Sequence, residues 1–479
     1  MFMELFLSVA VSKQTVFLRH IEQLLAQFYH PQQSCYYVLA EAFFRLQQEQ
    51  QHALHLAEQD WLLAQKAPQK PDVLKKTRAI FTDLQYADEK LRLQRWSALR
   101  QLAENLLQLS DGIQQSETLT LSSRLFGSLL LTALSKKRKT ALLEFAYKPC
   151  YRALLTLRLL DDLLQQQIIK EPEWQNWYQQ RNPAEPDNCP YRQQLQLPLV
   201  MACVIQHLGQ LHLDAQAILA KHDHTNTTDR ALSPEERVQY LAFSQQGSLN
   251  FLSTGLGVLP YRGNSKDERE QHQQQQLKLM TLLERFIKAP PHTLLGSLFK
   301  VPQAYTSVIL PGRNRYNYEA LPKAPLLLRE AVRRAEYDGR LVDRIFRMQG
   351  IFPQGYGIVY TPLGDDSKPQ PKYEFAVVNS LYPEKPEQPR CRVVSRNQQY
   401  RNTGYDITLS AELNLYFKPA RDRLKTLPER RLRELLNVLY QDGDALFDRK
   451  LLPHCWQADN FFSVAENQNL WQSAERRQN

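Results

Sequence analysis

The sequence predicts a mainly α-helical protein with a small β subdomain toward its C-terminal end. Apolar residues recur at helical spacing up to Gly350, beginning with Phe17, Ile21, Leu24, Leu25 and Phe28. After Gly350 the pattern changes: Pro353, Gly355 and Gly357 punctuate the chain and short strand-like runs follow. The composition suits folded cores, with 43% hydrophobic and 10% aromatic residues. A chain of 479 residues exceeds one ordinary core, so several domains are expected.

The elements follow in order. A helix begins the pattern at Phe17, and residues 35–46 read as a second. Pro68 and Pro71 make 65–72 a loop. Leu84, Leu91, Leu99, Leu102, Leu106 and Leu109 predict one or two longer helices, and 121–134 a further one. Residues 1–135 thus form a helical N-terminal module without a chemical motif. From Thr140 a new block starts, and Leu154, Leu155, Leu157, Leu159, Leu160, Leu163 and Leu164 make it a core helix. Pro172 and residues 182–190 interrupt it, and helices are predicted at 197–211, 234–252, 267–287 and 325–349. That gives a helical domain over 140–350. Strands at 358–360, 375–379, 392–395 and 406–409 give a β appendage over 351–417. The tail, 418–479, returns to helix around 429–440 and then turns irregular.

The formal net charge of +10 is thin over this length and reads as surface solubility. The run Lys136, Lys137, Arg138, Lys139 reads as a solvated boundary, and no nucleic-acid motif accompanies it, so no specific nucleic-acid partner is expected. His52 and His55 read as exposed histidines of a Gln-rich helix rather than a metal pair. Cys35, Cys150, Cys189, Cys203, Cys391 and Cys455 lie too far apart for a zinc or redox motif and suit a reducing compartment. Residues 1–11 and 125–134 are apolar but short of the roughly 20 residues of a membrane span, and no basic leader or cleavage site is seen. A cytoplasmic protein is expected.

Four stretches carry a family resemblance. The first runs Val204, Ile205, Gln206, His207, Leu208, Gly209, Gln210, Leu211 and continues to Ile218, Leu219, Ala220, Lys221. The second is Leu232, Ser233, Pro234, Glu235, Glu236, Arg237, in which Ser233 is a good helix N-cap. The third holds Tyr305, Arg313, Arg315 and Tyr316, then 327–332 and 337–342. The fourth holds Gly350, Phe352, Pro353, Gly355, then Asn379, Pro383, Glu384, Pro389, and Asp406 to Leu409. In this order they resemble an HD-GYP domain, a helical phosphohydrolase fold that hydrolyses cyclic di-GMP with two or three metal ions. The resemblance implies an HD-domain-like helical bundle with a small β subdomain.

It also implies lost chemistry. Metal-assisted phosphodiester hydrolysis needs a cluster of His, Asp and Glu to hold the ions. The family's His-Asp pair falls on Gln206 and His207, its motif Lys on Gln210, and a later metal-binding His on Phe243 or Ser244. Its late Asp falls on Gln303 or Ala304, and no adjacent His-His pair exists. The expectation is therefore a non-catalytic bacterial protein in cyclic di-GMP signalling, or a scaffold that docks a protein partner through its N-terminal module. No cofactor is expected. Arg313, Arg315, Tyr316, Lys323 and Arg329 are the candidate donors and stacking groups for a nucleotide. The alternative is a divergent metal-dependent phosphodiesterase using His207, His212, His222, Asp223 and His224. The literal His222-Asp223 pair sits in a polar, loop-like segment, which favours the non-catalytic reading.

Overall fold

The computed structural model describes residues 15–29, 36–66, 71–135, 140–220, 232–312, 316–364, 366, 368–370, 372–422, 429–430, 433–434, 437 and 454–472. Within them the chain is mainly helical, with a small antiparallel sheet toward the C-terminal end. The helices are α1 (Val16–Tyr29), α2 (Tyr36–Gln65), α3 (Pro71–Ser110), α4 (Gln115–Ser135), α5 (Thr140–Gln165), α6 (Pro172–Gln179), α7 (Leu197–Leu208) and α8 (Leu213–Ala220). They continue with α9 (Pro234–Asn250), α10 (Lys266–Lys288), α11 (Leu294–Ile309), α12 (Ala324–Arg333) and α13 (Gly339–Gln349). Two short helices, α14 (Lys418–Asp422) and α15 (Asp459–Phe462), follow the sheet.

Helix α7 is the axis of the bundle. Its residues are apolar around almost the whole circumference, and all of Leu197–Leu208 is buried. A helix of that kind can rest only inside others. Helices α3, α5, α9 and α10 pack around it. One contiguous cluster of buried apolar side chains then runs from Phe17 on α1 to Trp471, so packing crosses the boundaries expected near 135 and 350. An ionic knot fastens this bundle: fully buried Arg158 on α5 meets Asp111 at 2.6 Å and Asp161 at 3.1 Å, and the Tyr191 hydroxyl donates to Asp161 at 2.5 Å. Burial pushes the Asp161 carboxyl up, against the pull of Arg158.

The helix ends obey local rules. Ser233 caps α9 by accepting from the Glu236 N–H while the Glu236 carboxylate accepts from the Ser233 N–H, a reciprocal capping box. The helix expected over 325–349 is instead two, because Ala335 adopts φ 55° and Asp338 starts α13 anew, accepting from the Arg340 N–H. The helix expected over 35–46 runs on to Gln65, where it turns back against α3 as an antiparallel hairpin.

The sheet has the order β1 (Gly357–Tyr360), β2 (Glu374–Val378), β3 (Arg390–Val393), β6 (Asp406–Thr408), all antiparallel. A two-stranded ribbon of β4 (Ser395–Arg396) and β5 (Gln399–Tyr400) branches from it. Its turn holds Asn397 and Gln398 at positive φ, and the buried Glu374 carboxylate accepts both of their N–H groups. Strand β1 is buried throughout and Gly357 abuts Trp456, whose carbonyl oxygen would stand 2.0 Å from any Cβ there. The 468–472 segment is tied down by a second ionic knot. Arg392 pairs with Asp406 at 2.7 Å, each side chain 5% exposed, and also donates to the Asn469 carbonyl at 3.1 Å. Asn379 bridges Asp406 at 2.9 Å and the Leu470 carbonyl at 3.0 Å.

Breaking that knot leaves a buried guanidinium without a counter-charge, which costs roughly 3–5 kcal/mol. Asp406→Ala is expected to lower the unfolding free energy by that amount, measured by urea titration followed by circular dichroism. A loss below about 1 kcal/mol would show that the knot is solvated.

Candidate functional site

The site is built where α9 crosses the end of α7. Gly209 follows α7, and a Cβ there would lie 2.1 Å from both the Ser244 carbonyl oxygen and the Ser248 hydroxyl. Gly247 faces it from α9, with the Gly209 carbonyl oxygen 2.6 Å from where its Cβ would be. This glycine contact brings the backbones together and sets the last turn of α7 against Tyr240 and Ser244. The Tyr240 hydroxyl donates to the Gln210 amide oxygen at 3.1 Å, and the Gln210 amide nitrogen reaches His207 Nδ1 at 3.4 Å.

Gln206, buried, faces the other way. Its amide nitrogen donates to the Phe286 carbonyl at 3.1 Å, and its amide oxygen accepts from Arg152 Nη2. Arg152 is 2% exposed. Its Nε and Nη1 are buried and have no hydrogen-bond partner among the described residues. Beside it on α11 is Lys300, which burial, then the neighbouring Arg152, pushes down to about 8. Cys203 on α7 stands near both cations, and burial pushes its thiol up. Neither cation forms an ion pair among the described residues. A cavity of about 30 Å³ opens between Lys300 and α9, lined by Gln206, Gln210, Tyr240, Ser244, Lys300 and Gln303 among others, with Arg152 behind Gln206. No carboxylate lines it among the described residues.

The motif positions Gln206, His207 and Gln210 thus converge at one place. Phe243, where the resemblance puts a metal-binding His, stacks on His212 with ring centroids 6.1 Å apart. Gln303, one of the two positions where the resemblance puts the late Asp, lines the cavity. Among the described residues no group of three His, Cys, Asp or Glu side chains is arranged to hold a metal. His222, Asp223 and His224 lie outside the described residues, as do Arg313, Arg315 and the basic run 136–139.

The remaining nucleotide-donor candidates do not gather there. Tyr316 donates its hydroxyl to the Ile309 carbonyl at 2.9 Å, and burial pushes that phenol up. The Arg329 guanidinium lies 3.9 Å over the Phe346 ring. Lys323 lines a second cavity of about 290 Å³ with Asn317, Glu319, Tyr416, Arg421 and His454. There, burial pushes His454 down, helped by Arg421 and Lys323 and opposed by Glu319 at 3.8 Å. Neither Tyr316 nor Arg329 lines that cavity.

Sequence reasoning missed Arg152 and Lys300. The signal for the first was an arginine just ahead of the Leu-rich run that begins at Leu154, and the second carried none. No family model, curated protein or solved structure matches the chain.

The lowered Lys300 value fixes a pH signature. The unfolded chain keeps its lysine proton up to about 10.5, while the folded chain releases it near 8. Between those values the unfolded state binds more protons, so stability gains as pH rises. Relative to Lys300→Met, the native chain is expected to gain roughly 3 kcal/mol from pH 8 to 10.5. Paired urea titrations check this, and a difference that stays flat across the window would contradict the buried-amine assignment.

Proposed function

We propose that this chain is a non-hydrolysing binding and scaffold protein, built on an HD-GYP-like helical frame and working in bacterial cyclic di-GMP signalling. One observation carries the reading. At the place where the resemblance puts a His-Asp metal pair, Gln206 is clamped between Arg152 and the Phe286 carbonyl. A divalent cation needs carboxylate and imidazole ligands in negative surroundings. This position offers a carboxamide, with a guanidinium and an ammonium behind it. Fixed protein cations there favour an anionic ligand over a metal ion. The cytoplasm is the compartment that fits this role, and no helix among the described residues is long and apolar enough to cross a membrane.

The helices before α5 supply the docking element for a protein partner. The α2–α3 hairpin leaves Leu56, Leu62, Leu63, Val73 and Ile80 at least two-fifths exposed, more apolar surface than a helical pair needs for itself.

Isothermal titration of cyclic di-GMP into metal-analysed protein tests the reading. The expected result is saturable binding with the nucleotide recovered intact. Conversion to the linear dinucleotide, with stoichiometric manganese, iron or zinc in the preparation, would overturn it.

A further inference from the structure

We propose that the cavity between Lys300 and Gln206 is a seat for a small oxyanion, a phosphate group, held by the Lys300 ammonium and the amides around it, with Arg152 supplying charge from behind. The inference does not depend on the cyclic di-GMP reading, because it rests on the charges of this chain alone.

The first observation is an imbalance. Arg152 is inside the bundle, 2% exposed, with Nε and Nη1 unsatisfied among the described residues. Among the described residues its one side-chain hydrogen-bond partner is the neutral amide of Gln206. Proteins match a buried guanidinium with a carboxylate, and this chain does so at Arg158 with Asp111 and Asp161, and at Arg392 with Asp406. At Arg152 it does not. A second cation, Lys300, is placed beside the first, so the two repel each other in a medium that screens poorly. A buried guanidinium beside a half-buried ammonium, neither paired with a carboxylate among the described residues, is a large unfavourable term unless something negative arrives.

The second observation is the lining. Lys300, Gln206, Gln210, Gln245, Gln303, Ser244 and Tyr240 surround the cavity. The Tyr240 and Ser244 hydroxyl protons go to Gln210 and to the Tyr240 carbonyl, so the donors left for an oxyanion are the Lys300 ammonium and the second N–H of amides such as Gln206 and Gln245, whose first goes to a backbone carbonyl. Gln206 links the two: its amide oxygen accepts a hydrogen bond from Arg152, which polarises the amide, and the same side chain lines the cavity. The volume of about 30 Å³ holds roughly two waters, so it admits the oxygens of a phosphate and leaves the rest of any larger ligand in the mouth. Free inorganic phosphate and the phosphate of a nucleotide share this chemistry.

Thermal unfolding of the full chain at pH 7 tests the seat, with inorganic phosphate titrated against sodium chloride of equal ionic strength. The native chain is expected to gain about 2–4 °C at saturating phosphate over the chloride control. Lys300→Met is expected to lose that gain while staying folded. Arg152→Met removes the uncompensated charge, so it is expected to unfold no lower than the native chain without phosphate and to respond to phosphate little or not at all. Dimethyl phosphate in place of inorganic phosphate separates the sources: an equal gain assigns the seat to a phosphodiester, and no gain assigns it to a free or terminal phosphate. No phosphate-specific gain in the native chain, or the same gain in Lys300→Met, would overturn the proposal.

Discussion

The burial of α7 on every side is the constraint from which the site follows. Its residues from Leu197 to Ile205 are apolar or small and need only neighbours to pack against. Its last turn carries Gln206 and His207, which are buried with the rest and must find polar partners inside the bundle. For Gln206 the partners come from elements distant in the chain, Arg152 from α5 and the Phe286 carbonyl from α10, while His207 meets Gln210 in the turn just after α7, which α9 presses against. The glycine contact between Gly209 and Gly247 allows this closeness, since either Cβ would strike backbone. The arrangement of cations is thus a consequence of placing a polar turn at the centre of a helical bundle.

The two treatments of buried arginine in this chain are instructive together. Arg158 and Arg392 sit among carboxylates and tie segments to one another, α5 to the α3–α4 turn and the sheet to residues 469–472. Those knots are mechanical fastenings with their charge settled internally. Arg152 has the same depth and no such settlement among the described residues. A buried ionic group that stabilises nothing by itself is better understood through what it could attract.

Much of the frame was legible in the sequence. The Leu-rich α5, the apolar α7 and the Ser233 cap follow from periodicity and local hydrogen bonding, which the sequence carries directly. The strands β1, β2, β3 and β6 were marked by short β-branched and aromatic runs between turns. The β4–β5 ribbon was not, because its strands are two residues each and its turn has Asn397 and Gln398 without glycine. The break between α12 and α13 was hidden from periodicity, since Ala335, at positive φ, is a strong helix former, although the resemblance had set a helix pair over 327–332 and 337–342. The site was legible only as motif positions. Gln206, His207 and Gln210 could be read off one segment, whereas the meeting of Arg152 with Lys300 is a tertiary fact that no local pattern encodes.

The account turns on whether the charge at Arg152 is countered by a bound anion. The most direct measurement is an anomalous difference map from a crystal of the full chain soaked in selenate, a heavy analogue of tetrahedral oxyanions. The account predicts a selenium peak in the cavity within hydrogen-bond reach of the Lys300 ammonium and the Gln206 amide. A cavity that stays free of selenium while other surface sites fill would contradict it.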